Sequence, residues 1–111
     1  LEGSKFGDTL IGDSNANTLD GAGGADFLTG GGGDDTFMFA AGQAAGDSIL
    51  DFTGNGAGGG ATLEFHGFGT VGATFTDLGG GQWQIHSGLD GHDEIITITG
   101  AVNPLDCLFV A

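Results

Sequence analysis

A nine-residue period runs through the first part of the chain and restricts its fold more than any other feature. From residue 3 to residue 38 the sequence divides into GSKFGDTLI, GDSNANTLD, GAGGADFLT and GGGGDDTFM. Gly3, Gly12, Gly21 and Gly30 open the blocks, the sixth place holds Asp8, Asn17, Asp26 and Asp35, and the eighth holds Leu10, Leu19, Leu28 and Phe37. Glycine costs conformational entropy on folding and neighbouring aspartates repel, so a segment rich in both must gain free energy from outside itself. A bound cation is the natural source. A flexible glycine linker has no phased Asp and Leu, and collagen requires a period of three with abundant proline, of which this chain has one.

Within a block, the first six residues read as a turn and the last three as a short strand. Glycines supply the positive φ of tight turns and let carbonyl oxygens converge, and the sixth-place carboxylate adds a charged oxygen. Oxygen-only donors of this kind suit Ca²⁺. The eighth-place Leu and Phe sit at strand centres and point away from their two neighbours. Stacked block on block, they form the thin core of a parallel coil; one block alone buries nothing.

Composition agrees with a cation-binding, partly packed chain. The 111 residues fit one domain or a compact fragment, and 39% hydrophobic content with nine Phe argues against a wholly disordered linker despite 26 Gly. Lys plus Arg total 1 against 15 acidic residues, a formal net charge of −14. Nucleic acid and anionic membrane surfaces are poor partners for such a chain, and divalent cations are good ones. No apolar run is long enough to span a membrane, and the opening LEGSKFGD lacks the basic and apolar regions of a cleaved signal peptide, which reads as a cut from a longer protein. Cys107 is the single cysteine and reads as a small packed hydrophobe or a group for intermolecular pairing.

The block GGGGDDTFM resembles the repeats-in-toxin (RTX) nonapeptide G-G-x-G-x-D-x-U-x, a calcium-binding β-helix repeat. The resemblance is strong over residues 3 to about 52. It implies an all-β fold, a right-handed parallel β-roll over 1–52 in which two blocks make one turn and calcium sits between loops two blocks apart. Carried over by position, Asp8 and Asp26 share one ion and Asn17 and Asp35 a second. The later GDSILDF repeats the signature at Asp47 and Ile49, so Asp47 closes a third ion with Asp26, assisted by Asp51. Carbonyls of Gly21, Gly23, Gly30 and Gly32 complete the shells. Lys5, Phe6, Asn15 and Asn17 depart from the pattern, and the missing charge at Asn17 makes its site the weakest expected.

Residues 53–111 read as a flanking region, continuous with the roll. TGNGAGGGA (53–61) is a loop by composition; TLEFHGF, ATFTDL, QWQIHS, EIITITG and CLFVA are strand-like, and their Gly-rich and Asp-Gly connections predict an antiparallel sheet or sandwich that caps the roll. His66, His86 and His92 lack zinc-ligand spacing and read as surface or hydrogen-bonded side chains. Trp83 reads first as a packed residue and second as an exposed platform for a ligand. No catalytic constellation is present: there is no G-x-S-x-G and no H-E-x-x-H. The final NPLDCLFVA resembles the uncleaved C-terminal signal of type I secreted proteins, with Asp106, Leu108, Phe109 and Val110 as its residues, and equally reads as a last edge strand.

The resemblance implies a non-catalytic, secreted module that folds on Ca²⁺ outside the cell, with the type I secretion machinery and an attached upstream effector or enzyme as partners. The alternative is a calcium-dependent carbohydrate-binding module in which Trp83 contacts a glycan.

Overall fold

The computed structural model describes residues 2–53, 61–102 and 106–110. Its strands are β1 (Thr9–Ile11), β2 (Thr18–Asp20), β3 (Phe27–Thr29), β4 (Thr36–Ala40), β5 (Ser48–Thr53), β6 (Thr62–His66), β7 (Thr74–Gly79), β8 (Gln82–His86), β9 (Asp93–Ala101) and β10 (Cys107–Val110). No α-helix occurs among the described residues.

The nine-residue period is the alternation between two sheets. Successive blocks place their strands in opposite sheets, so β1, β3 and β5 lie side by side in one and β2 and β4 in the other. Pairing is parallel and in phase: Leu10 lies opposite Leu28, and Leu19 opposite Phe37. These eighth-place side chains face the space between the sheets, where Leu19, Leu28, Phe37 and Ile49 are fully buried. The chain is therefore an all-β parallel roll, as the repeat phase predicts.

The second half differs in part from the antiparallel expectation. β7, β8 and β9 do form an antiparallel meander. However, β6 pairs parallel with β4, β10 parallel with β6, and β9 parallel with β5, so these strands add turns to the roll itself. Alternating side chains suit a parallel or an antiparallel neighbour equally, so the alternation of these strands does not distinguish the two. The full orders are β1-β3-β5-β9-β8-β7 and β10-β6-β4-β2. The predicted 53–61 loop falls, over 54–60, outside the described residues.

The meander brings the larger side chains over the core. Phe65 of β6 is fully buried and touches four aromatic rings, those of Phe39, Phe68, Phe75 and Phe109, at centroid distances of 5.1–6.0 Å. The β5–β9 contact is tight at one point: Gly100 has φ +134°, and any β-carbon there would collide with the Phe52 backbone. Only glycine satisfies both demands.

Candidate metal centre

The loops stack as the strands do. Gly21 lies over Gly3, Gly23 over Lys5, Gly24 over Phe6, Gly30 over Gly12 and Gly32 over Ser14, a constant step of two blocks. Asp8, Asp26 and Asp47 consequently fall in one column, on the loops entering β1, β3 and β5. The Asp8 amide donates to Asp26 Oδ1 at 2.7 Å, and the Asp26 amide to Asp47 Oδ1 at 2.9 Å. Asn17 and Asp35 form the second column, with the Asn17 amide donating to Asp35 Oδ1 at 2.8 Å. In the first turn the side chains bond within their own loops, Asp8 to the Ser4 amide and Asn17 to the Asp13 amide.

One carboxylate oxygen of Asp26 and of Asp35 is thus committed to the adjacent turn. The other turns back against the opening glycine of its own block, Gly21 or Gly30, where a β-carbon would collide with it. Asp26 Oδ2 is buried with no hydrogen-bond partner. A charged oxygen left so is costly, and a cation removes the cost. At Gly3, the Gly21 carbonyl oxygen and Asp8 Oδ2 lie 2.6 and 2.7 Å from the place a β-carbon would occupy. The Gly30 carbonyl and Asn17 Oδ1 converge likewise on Gly12. Bare glycine cradles lined by carboxylate and carbonyl oxygens fit a hard cation such as Ca²⁺. Backbone carbonyls of Gly21 and Gly30 thus stand beside the side-chain oxygens in these cradles.

The electrostatics point the same way. Burial, reinforced by the charges of Asp8 and Asp20, pushes the Asp26 carboxyl above the usual range. Asp35 is raised by burial and by Asp51, Asp13 and Asp34. Asp47 is pushed up to about 8, chiefly by burial and then by the charges of Asp26 and Glu94. Without a counter-cation, these columns hold carboxylates that resist ionisation.

Asp51 departs from its expected place beside Asp47. Its two oxygens accept the amides of Gly30 and Gly31, both at 2.8 Å, which puts its charge on the Asn17–Asp35 column. The cause is the strand itself: Asp51 follows Asp47 by four residues, and β5 carries it across the roll to lie beside Gly30, at the same 21-residue step that sets Asp47 beside Asp26. That column therefore gains a carboxylate near the point where Asn17 lacks one.

Glu94 has no counterpart in the repeat pattern. Its buried carboxylate accepts amides from Gly42, Ala44 and Ala45 of the loop entering β5, at 2.7–3.1 Å. It arrives from a strand about fifty residues away in sequence, and only the β5–β9 pairing could have revealed it.

The remaining candidates are packed or hydrogen-bonded. Trp83 is 7% exposed and stacks on Phe75 at 4.5 Å, which is the packed role and not the open platform. His66 pairs with Glu64, His86 with Asp93, and His92 with Asp90 and Glu94. Asp106 is buried and precedes β10, an edge strand in which Leu108 is exposed and Phe109 and Val110 are half-buried.

A family model for the RTX calcium-binding nonapeptide repeat matches residues 2–42 in four copies. Residues 2–42 are RTX repeats. No curated protein matches the chain. RTX nonapeptide repeats bind Ca²⁺, so calcium is the ion of these loops. The matched residues include the loops of Asp8, Asn17, Asp26 and Asp35, while Asp47 and Asp51 lie beyond them.

Proposed function

We propose that this chain is a calcium-triggered folding module: exported unfolded by type I secretion, it folds outside the cell and stabilises an attached effector or enzyme. The observation that carries the reading is the buried, unpartnered Oδ2 of Asp26, set between two further carboxylates of its column. Asp8, Asp26, Asp47, Asn17 and Asp35, with carbonyls such as those of Gly21 and Gly30, would hold the ions. Asp51 joins the Asn17–Asp35 group. Bound calcium supplies the positive charge that lets ionised carboxylates share a dry interface.

The chain's own residues account for the switch. Three- to six-residue strands bury little apolar surface each, and the loops between them carry like charges. Taking sites with Kd of about 0.1 mM at about 1 mM free Ca²⁺, each contributes roughly 1.4 kcal/mol and three contribute roughly 4. A small domain is stable by only about 5–15 kcal/mol, so that sum decides its state. At cytosolic calcium the contribution vanishes.

The C-terminal candidates Asp106, Leu108, Phe109 and Val110 lie in or beside β10 when the chain is folded, so a secretion receptor would read them from the unfolded chain. Export before folding is consistent with that. The glycan-binding alternative has no exposed aromatic at Trp83 to rest on.

Protease sensitivity tests the reading. Digestion by chymotrypsin is expected to be fast at sub-micromolar free calcium and slow at about 1 mM, a range spanning extracellular-type affinities. Equal resistance at both would remove the compartment switch.

A further inference from the structure

Both ring nitrogens of His92 face carboxylate oxygens. Nδ1 meets Asp90 Oδ1, and Nε2 lies 2.6 Å from Glu94 Oε2. A neutral imidazole has one N–H to donate, and an ionised carboxylate only accepts, so both contacts are satisfied together only by the doubly protonated ring. The ring also stacks on Phe68 at 5.9 Å. In a chain with a single Lys or Arg, an internal cation at this place matters.

We propose that His92 is a resident imidazolium that ties the β8–β9 connection, through Glu94, to the loop entering β5, and that this tie is released as pH rises. It goes beyond the calcium reading, since it needs no bound ion. Glu94 is the middle of the tie: its carboxylate takes the amides of Gly42, Ala44 and Ala45 on one side and His92 on the other. At the last turn of the acidic column, a side-chain cation thereby closes the loop.

The two carboxylates that face the ring favour its charge. Asp90 faces it from the same connection and Glu94 from β9; Asp47 stands in charge contact with Glu94, and His86 pairs with Asp93 on the neighbouring strands at 2.7 Å. Asp90, then Glu94, raises the His92 pKa against a smaller opposing effect of burial. Burial would raise Glu94 as well, yet the amide of Gly42, His92 and the amides of Ala44 and Ala45 hold it below its usual value. For a histidine raised in the folded state, the stabilisation is complete below the unfolded pKa of about 6.5 and is lost as pH climbs through the folded value.

The test uses the full chain in saturating CaCl₂. Histidine Cε1–H signals are followed by NMR from about pH 5 to about pH 9.5, with assignment from His66→Gln and His86→Gln. The His92 midpoint is expected above the ordinary histidine value, and Asp90→Asn, at an exposed position, should lower it. The thermal midpoint of the parent should fall as pH rises through that range, and His92→Gln should flatten the fall. A His92 midpoint at or below about 6.5, or one unmoved by Asp90→Asn, would overturn the proposal. If His92→Gln does not fold, the parent titration and Asp90→Asn still decide it.

Discussion

Ala22 is the one non-glycine with positive φ among the described residues, at 60°, where the next block has Gly31 at 84°. An L-residue there costs about 1–2 kcal/mol, and glycine gives back about 0.4–1 through its freer unfolded chain. Ala22→Gly should therefore stabilise the calcium-loaded protein by roughly 0.5–1 kcal/mol, visible as a higher urea midpoint. Asp26 is the residue on which the first column turns, because it bonds both Asp8 and Asp47. Asp26→Asn keeps an acceptor for the Asp8 amide but removes the charge. The variant should bind fewer calcium ions by isothermal titration calorimetry than the parent while Asn17→Asp, which adds a charge to the other column, tightens binding. Unchanged stoichiometry in Asp26→Asn would show that Asp26 is not a shared ligand.

The loops and strands act as units, and the loop column has its own pH dependence. In chelator, the raised carboxyls of Asp26, Asp35 and Asp47 mean that the folded roll binds protons more tightly than the unfolded chain. Folded stability should then increase as pH falls from about 8, the Asp47 value, towards the ordinary carboxylate range near 3.8. Calcium competes for the same oxygens, so its apparent affinity should rise over the same interval as pH increases. A calcium midpoint that does not vary with pH would contradict this. The strand repeats of residues 3–38 were legible because phase alone specifies them: Gly turns, the sixth-place oxygen faces the next loop, and Leu or Phe faces the core. Trp83 was legible as a packed residue from its type and its place in a strand. The position of Asp51 was not, since its closeness to Asp47 in sequence hides the strand that carries it across the roll to Gly30 and Gly31. Nor was the parallel pairing of β6 and β10, because alternation reports which face is buried and is silent on which edge is joined. Glu94 lay out of reach for the same reason, as its loop and its strand meet only after β9 has docked on β5.

For the whole molecule, two sources of stability meet at the same roll. One is the aromatic core around Phe65, where the turns added by β6 and β10 and the β7–β9 meander converge. Phe65→Ala should cost about 3–5 kcal/mol, enough to raise markedly the calcium concentration needed for folding. The other is the loop stack at the N-terminal turns, which calcium would tie together and whose short strands bury single Leu or Phe side chains. Calcium-coupled folding requires that the first source alone fall short. A far-UV circular dichroism titration from chelator to about 1 mM Ca²⁺, with Mg²⁺ as control, measures this directly. A coil-to-β transition with Ca²⁺ alone is expected; a full β spectrum in chelator, unchanged by calcium, would mean that the aromatic core holds the fold without the ions.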